Sequence, residues 1–240
     1  MLGASDKSIR DVRKEQIDTI LKAVGSISAR IMDKEASSKD LEVFKLQMCK
    51  KCLESEFLER RIQGIRDLNQ IIRNNTLYQS RQFDAEFLIK WMTENKVFDI
   101  IWTARRTHAQ LVERSNDIWR LLLKEKLLTD EHLSMFWELT KTQDFKSGIY
   151  KIINESSIYL QPPQIEFIFK EITLTPAHKL DMQDFNVLSE LGKYGKNADL
   201  QTKVSEFFWK IISESDQYND ELLQSCITKF ADMIKYWTTQ

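Results

Sequence analysis

A chain of 240 residues can hold one large helical array or two small domains, because a single core stops growing near roughly 250–300 residues. Hydrophobic residues at 42% exclude the disordered class, and a net charge of −1 provides no global field for nucleic acid or anionic lipid. Six glycines and three prolines are too few for a sheet-rich protein, which needs turn residues every ~8–12 positions.

The spacing predicts a long first helix over 6–32, with Ile9, Val12, Ile17, Ile20, Leu21, Val24, Ile27 and Ile31 recurring three and four apart for much of the run. Ser37, Ser38 and Asp40 offer N-cap oxygens for a second helix whose stripe is Leu41, Phe44, Met48 and Cys52, ending near Ser55. A third carries Phe57, Leu58, Ile62, Ile65, Leu68 and Ile72 and stops at Asn74–Asn75, before a polar loop over 76–82. Asp84 caps a fourth with Phe87, Leu88, Trp91 and Met92 inward and Asn95 at its end. A short helix over 96–104 follows. Thr107 then caps one whose inward positions are Leu111, Val112, Ser115, Ile118, Trp119 and Leu122.

Thr129 opens the next helix, with Asp130 and Glu131 complementing the dipole and Leu133, Phe136 and Trp137 as its core face. The stretch 144–160 is helical around Ile149, Ile152 and Ile153, until Pro162–Pro163 breaks it and pre-sets the following start. That helix buries Ile165, Ile168, Phe169 and Ile172. Thr175–Pro176 repeats the cap-then-proline signal, but 177–180 is too short to assign before Phe185, Leu188 and Leu191 resume the periodicity, a run that Gly192 and Gly195 terminate. Two strongly amphipathic helices close the chain, one on Leu200, Val204, Phe207, Phe208 and Ile211, the other on Leu222, Leu223, Ile227, Phe230, Ile234 and Trp237.

About a dozen helices joined by short polar turns predict an all-α fold, a right-handed α-solenoid of stacked helix pairs spanning 1–240 as one continuous domain. The tetratricopeptide and ankyrin signature residues are missing, which leaves the looser HEAT- or armadillo-like class with its ~40-residue period. A compact irregular bundle is the competing arrangement.

Catalytic chemistry finds little to stand on. Cys49 and Cys52 have the spacing of half a zinc site or of a redox pair, but no second half follows and no strand precedes them, so Cys52 reads as a continuation of the Leu41–Phe44–Met48 stripe. His108, His132 and His178 stand far apart, two of them at helix starts, and no Cys or Ser lies in a hydrolase motif. No glycine-rich phosphate cradle is present, and no cofactor or metal is expected. Most of the six tryptophans and thirteen phenylalanines fall on the apolar stripes, where packing explains them better than base stacking. Glu113, Asp117, Arg120 and Lys124 run acidic to basic along one outer face, an order that suits the helix dipole. No stretch of ~18 apolar residues offers a membrane span and residues 1–30 hold no apolar signal core, so a cytoplasmic location, possible also in the nucleus, is expected, with the three cysteines reduced.

Four segments carry a family pattern: Phe57-Leu-Glu-Arg-Arg-Ile-Gln-Gly-Ile-Arg-Asp-Leu-Asn-Gln-Ile-Ile72; Lys90-Trp-Met-Thr-Glu-Asn-Lys-Val97; His108-Ala-Gln-Leu-Val112; and Leu127-Leu-Thr-Asp-Glu-His-Leu-Ser-Met-Phe-Trp137. Together, over 57–172, they resemble the armadillo-like, non-catalytic N-terminal region of the very large ubiquitin-specific proteases of the fat-facets type. The resemblance implies a fragment of a larger deubiquitinase whose catalytic boxes lie elsewhere, acting as a scaffold that recruits substrates or regulators. Trp91, Asn95, His108, Leu128 and Trp137 fall on the family pattern as packing or capping positions. The chain departs from it at 102–107, where the family has a small, glycine-containing turn and this sequence has Trp102-Thr-Ala-Arg-Arg-Thr107.

That departure supplies the candidate partner-binding residues, Arg105 and Arg106. Adjacent arginines in a turn can complement the C-terminal dipole of the preceding short helix, or they can fork onto the carboxylates of an acidic partner. The partners expected are other proteins, with no nucleic acid and no membrane. The alternative function is an importin- or adaptor-like repeat that grips an extended peptide, for which rows of exposed Asn and Trp would speak.

Overall fold

The computed structural model describes residues 14–31, 34–77, 84–176, 179–195 and 198–239. These contain thirteen α-helices, three short 3-10 turns between them, and no strand. The all-helical class expected from the stripes is the one found. Contacts group into two compact units, Met1–Leu128 and Thr129–Gln240.

In the first unit, α1 (Lys14–Ile31), α2 (Lys34–Leu53) and α3 (Leu58–Leu77) pack in succession. The α2–α3 approach is close because Gly64 has no side chain. A Cβ there would lie 2.9 Å from the Cys49 carbonyl oxygen and 2.9 Å from the Cys52 Cβ. Helix α2 starts at Lys34, so the predicted caps Ser37, Ser38 and Asp40 lie inside it; its stripe begins later than its backbone does. Helix α3 runs past Asn74–Asn75 to Leu77, and the Asn75 amide donates back to the Ile71 carbonyl at 2.8 Å. The helix thus continues past the stop expected at Asn75, whose side chain folds back onto it. The predicted loop therefore begins after Leu77, and 78–83 lie outside the described residues, as do Ile9 and Val12.

Helix α4 (Ala85–Glu94) is capped as expected: Asp84 Oδ1 accepts the Phe87 N–H at 2.7 Å, and Asn95 closes the other end. After α5 (Val97–Trp102), the expected Thr107 cap is displaced by one residue. His108 is the N-cap of α6 (Ala109–Arg114), its Nδ1 accepting the Gln110 N–H at 3.2 Å. The single helix read onward from Thr107 is two, because Ser115 separates α6 from α7 (Asn116–Lys124). The Ser115 hydroxyl donates to the Val112 carbonyl at 2.7 Å, tightening that turn, and accepts the Trp102 indole N–H at 3.1 Å. Trp102 then meets Trp119 edge to face at 6.2 Å, and both are almost fully buried. Helix α7 ends in a Schellman closure, with Leu127 N–H bonded to the Leu122 carbonyl at 2.9 Å and Lys126 N–H to that of Leu123 at 3.2 Å. Lys126 takes the left-handed conformation there, φ 57°, in the place where glycine is usual.

The second unit opens on α8 (Asp130–Glu138). Thr129 and His132 form a reciprocal cap, the Thr129 hydroxyl accepting the His132 N–H at 3.2 Å. Next come α9 (Gln143–Ser156), with one 3-10 turn extending it to Tyr159, and α10 (Pro162–Thr173), with Pro162 in its first turn as predicted. Thr175 closes α10, its hydroxyl donating to the Glu171 carbonyl at 3.2 Å, and residues 177–178, which its cap-then-proline signal precedes, lie outside the described residues. Asp181 caps α11 (Met182–Tyr194) by accepting two backbone N–H groups. Gly192 is interior to α11 and does not end it. It lets α13 (Asp220–Thr238) approach, since a Cβ would collide with Met233 Sδ, while Gly195 holds the C-cap.

Phe208 of α12 (Ala198–Ser213) stacks on Phe230 at 5.4 Å. On α13 the buried positions are Cys226 and Met233, whereas Ile227 and Ile234 are exposed; the inward phase is rotated from the one expected. A polarizable sulfur fits the gap against Gly192 where a branched side chain would not. Trp209 is also exposed, unlike the buried Trp91, Trp102, Trp119 and Trp137.

Candidate functional site

Arg105 and Arg106 sit on the turn between α5 and α6, closed by Arg106 N–H and Thr107 N–H donating to the Thr103 carbonyl at 2.8 and 3.0 Å. Both side chains are exposed. They line one wall of a cleft of about 530 Å³, entirely within the first unit, with Lys50, Arg61 and Lys96 as its other cations and Glu54 and Glu94 as its carboxylates. Sequence reasoning found two of these five cations. The other three come from the end of α2, the start of α3 and the α4–α5 junction, and nothing local in the sequence marks them as neighbours.

Each component has a physical reason for its place. Arg61, half-buried on α3, donates from its guanidinium to the carbonyl of Arg106 and to that of Ile100, the latter at 3.4 Å, and so holds the turn from behind. Burial pulls its pKa down, which leaves it charged all the same. Lys96 follows the α4 C-cap in the left-handed conformation, φ 55°, and forms no ion pair among the described residues. Lys50 lies 3.6 Å from Glu54, and Glu94 lies 3.9 Å from Lys90, so both carboxylates already have a local cation. Arg105 and Arg106 have no ion-pair partner among the described residues.

A second charged cluster lies in the other unit and is built differently. Lys146 Nζ donates to Asp181 at 2.8 Å and to Asp184 at 3.0 Å, and the Tyr150 hydroxyl donates to Asp184 at 2.7 Å. Asp184 is almost wholly buried, and burial pushes its carboxyl up even though hydrogen bonds from Tyr150 and the Asp181 backbone pull the other way. Burial also raises the Tyr150 phenol, reinforced by the Asp184 charge. Burial works against the Lys146 charge, but its bonds to Asp181 and the attraction of Asp184 outweigh it and raise its pKa. Every donor here has an acceptor, and the cluster joins α9 to the capped start of α11.

The remaining candidates are structural. Cys49, Cys52 and Cys226 are unbridged and buried, and burial raises all three thiols, Cys226 to about 12. A thiol pushed upward is a poor nucleophile at neutral pH. His108 and His132 are spent on helix caps, and His178 lies outside the described residues. No group of metal-binding side chains occurs among the described residues, and none of their helices is long and apolar enough to cross a membrane. Asp117, read as a dipole partner, also takes Arg73 of α3 at 2.6 Å and ties two helices together. The five residues carried by the family pattern all serve packing or capping: Trp91, Leu128 and Trp137 are buried, Asn95 is a C-cap and His108 an N-cap.

Residues 39–240 match the family described as UBP24/USP9X/USP9Y ARM repeat. The chain is 20% identical over 237 residues to human "Ubiquitin carboxyl-terminal hydrolase 9Y", covering 93% of this chain and 9% of that protein. It is 20% identical over 247 residues to Drosophila melanogaster "Probable ubiquitin carboxyl-terminal hydrolase FAF", covering 95% of this chain and 9% of that protein. Human "Ubiquitin carboxyl-terminal hydrolase 24" is 24% identical over 216 residues, covering 87% and 8%. The chain thus spans about a tenth of the length of these relatives.

Proposed function

Because the chain belongs to the UBP24/USP9X/USP9Y ARM repeat family, we propose that it is a non-catalytic, protein-binding segment that recruits substrates or regulators for a ubiquitin-specific protease. The observation that carries this reading is the contrast between a cleft with two exposed guanidinium groups, neither in an ion pair among the described residues, and thiols that are buried in packing while His108 and His132 are committed to helix caps. Helical repeat arrays bind partners through extended surfaces. The importin- or adaptor-like alternative draws less support, since Trp91, Trp102, Trp119 and Trp137 are buried and cannot line a peptide groove. Such a segment belongs in the cytosol or nucleus, where three unbridged thiols stay reduced.

Two measurements test it. The isolated chain should not turn over a ubiquitin C-terminal fluorogenic substrate, and turnover that disappears on mutating Cys49, Cys52 or Cys226 would overturn the non-catalytic part. In cells, the full-length protease with this segment deleted should lose part of its set of proximity-labelled proteins; an unchanged set would overturn the recruiting part.

A further inference from the structure

We propose that the cleft carrying Arg105 and Arg106 binds an acidic peptide segment, whose carboxylate side chains the two guanidinium groups clamp while Lys96 supplies a third positive contact. This rests on the protein-binding reading above and gives its partner a chemistry.

The cations of the cleft outnumber its carboxylates by five to two, in a chain whose overall charge is −1. The positive field is therefore local, not a property of the whole molecule. Both carboxylates have neighbouring lysines, so the unsatisfied charge sits on Arg105, Arg106 and Lys96. Its volume of about 530 Å³ lies within the usual range for ligand pockets, about 300–1,000 Å³, and is room for a few side chains of an extended peptide.

The wall is also preorganised. Arg61 pins the Arg106 carbonyl, the Thr103 carbonyl takes two N–H groups of the same turn, and Lys96 projects from a backbone held left-handed after the α4 C-cap. Fixing the backbone that carries the donors removes part of the entropy otherwise lost on capture. Guanidinium forks match the planar carboxylate, which favours Glu and Asp side chains as the groups held. A nucleic acid fits less well. Glu54 and Glu94 interrupt the positive lining that a continuous line of phosphates would track, whereas an extended peptide can set its spaced carboxylates on the arginines and its backbone N–H groups toward the two glutamates.

The test uses the full 240-residue chain and a short fluorescein-labelled peptide of alternating Glu and Ala, with the matching Gln–Ala peptide and a single-stranded oligonucleotide of similar length as comparators. Fluorescence anisotropy should show saturable binding of the Glu peptide, weakening with added salt, and no saturation with the Gln peptide. Arg105→Gln/Arg106→Gln should weaken it about tenfold or more, with the melting temperature unchanged. Lys96→Gly and Lys126→Gly both relieve a left-handed lysine, but only Lys96 lines the cleft, so the first should weaken binding severalfold and the second leave it as in the parent. Absence of saturation at millimolar Glu peptide, equal affinity in the double-arginine variant, equal loss for both lysine variants, or tighter capture of the oligonucleotide would each overturn the proposal. If the Glu peptide fails while deletion of the segment still strips partners from the protease, only the cleft assignment falls. If the deletion strips nothing, the recruiting role falls whatever the peptide does.

Discussion

The two units handle clustered charge in opposite ways. In the second, Asp184 and Tyr150 are buried, Lys146 and Asp181 meet them at a half-exposed edge, and each donor finds an acceptor within 3.0 Å. In the first, Arg105 and Arg106 stand on an exposed turn beside Lys96, with no ion-pair partner among the described residues. The difference is one of solvation. A buried charge without a partner costs several kcal/mol, so burial selects for closure, while an exposed guanidinium is kept charged by water and stays available to another molecule. Closure marks a structural cluster, and an open set of cations marks a candidate for binding.

The largest effects should come from the cores on which both clusters rest. Trp119→Ala in the first unit and Trp137→Ala in the second should each lose about 3–5 kcal/mol of stability, the range for emptying an aromatic core site. Denaturant melts will read this. A loss under about 1 kcal/mol at either position would mean that the unit's core lies elsewhere.

Next is the closed cluster itself. Asp184→Ala removes the acceptor of Tyr150 and one of the two acceptors of Lys146, and should cost about 3 kcal/mol, the low end for breaking a buried pair because Asp181 remains. Tyr150→Phe should cost about 2 kcal/mol at neutral pH, as expected of a buried hydrogen bond to a charged group. Its pH dependence is more telling. The Tyr150 pKa is raised in the folded state, so its stabilising contribution is fully present below the unfolded value near 10.0 and falls as pH rises beyond it. Lys146 shifts the same way, with its contribution intact below 10.5 and lost above as pH climbs through the raised value. The stability gap between parent and Tyr150→Phe should therefore narrow above pH about 10; a constant gap would separate the phenol from the cluster.

A smaller change of opposite sign is expected at the helix ends. Lys96 and Lys126 occupy left-handed positions that glycine tolerates at no steric cost. Lys126→Gly should raise stability by about 1 kcal/mol, and Lys96→Gly by a similar amount. If Lys96→Gly is destabilising, its side chain has a structural role in the fold, and the contrast between open and closed clusters weakens.

These elements also show how far the residues alone could be read. Stripes such as Ile65–Leu68–Ile72 and Ile149–Ile152–Ile153 report a 3.6-residue period directly, which is why helices and most core positions were legible. The caps at Asp84 and Thr129 and the helix start at Pro162 were legible because those residue types act within three positions. The features that escaped depended on distant neighbours or on residues doing another type's work. Ser115 splits a helix partly through Trp102, 13 positions away, and Met233 stands on the inner face of α13 where Gly192 lies opposite, with Cys226 buried earlier on that face against the Phe208 carbonyl. His108 caps in place of threonine, and two lysines stand where glycine is usual. At the cleft, Arg105 and Arg106 were legible as an adjacent pair, but the Arg61 contact that holds their turn at the Arg106 carbonyl spans 45 positions, a relation no local pattern carries.

The smallest effect concerns that pair and decides between the two roles open to it. If Arg105 and Arg106 serve the fold by complementing the C-terminal dipole of α5, neutralising both should cost up to about 1 kcal/mol each at low ionic strength and much less when screened. The geometry argues against a large value. Helix α5 has only 6 residues, both arginines lie beyond its Thr103 cap, and the turn is held by the backbone bonds to Thr103 and the guanidinium of Arg61, none of which requires the Arg105 or Arg106 side chain. Arg105→Gln/Arg106→Gln should therefore shift stability by less than about 0.5 kcal/mol, the range for surface changes away from caps and cores. Urea melts at low and high salt separate the roles. A loss above about 1 kcal/mol that shrinks with salt would assign the pair to the helix dipole, whereas a salt-independent value near zero leaves their charge to be explained by a partner docked in the cleft.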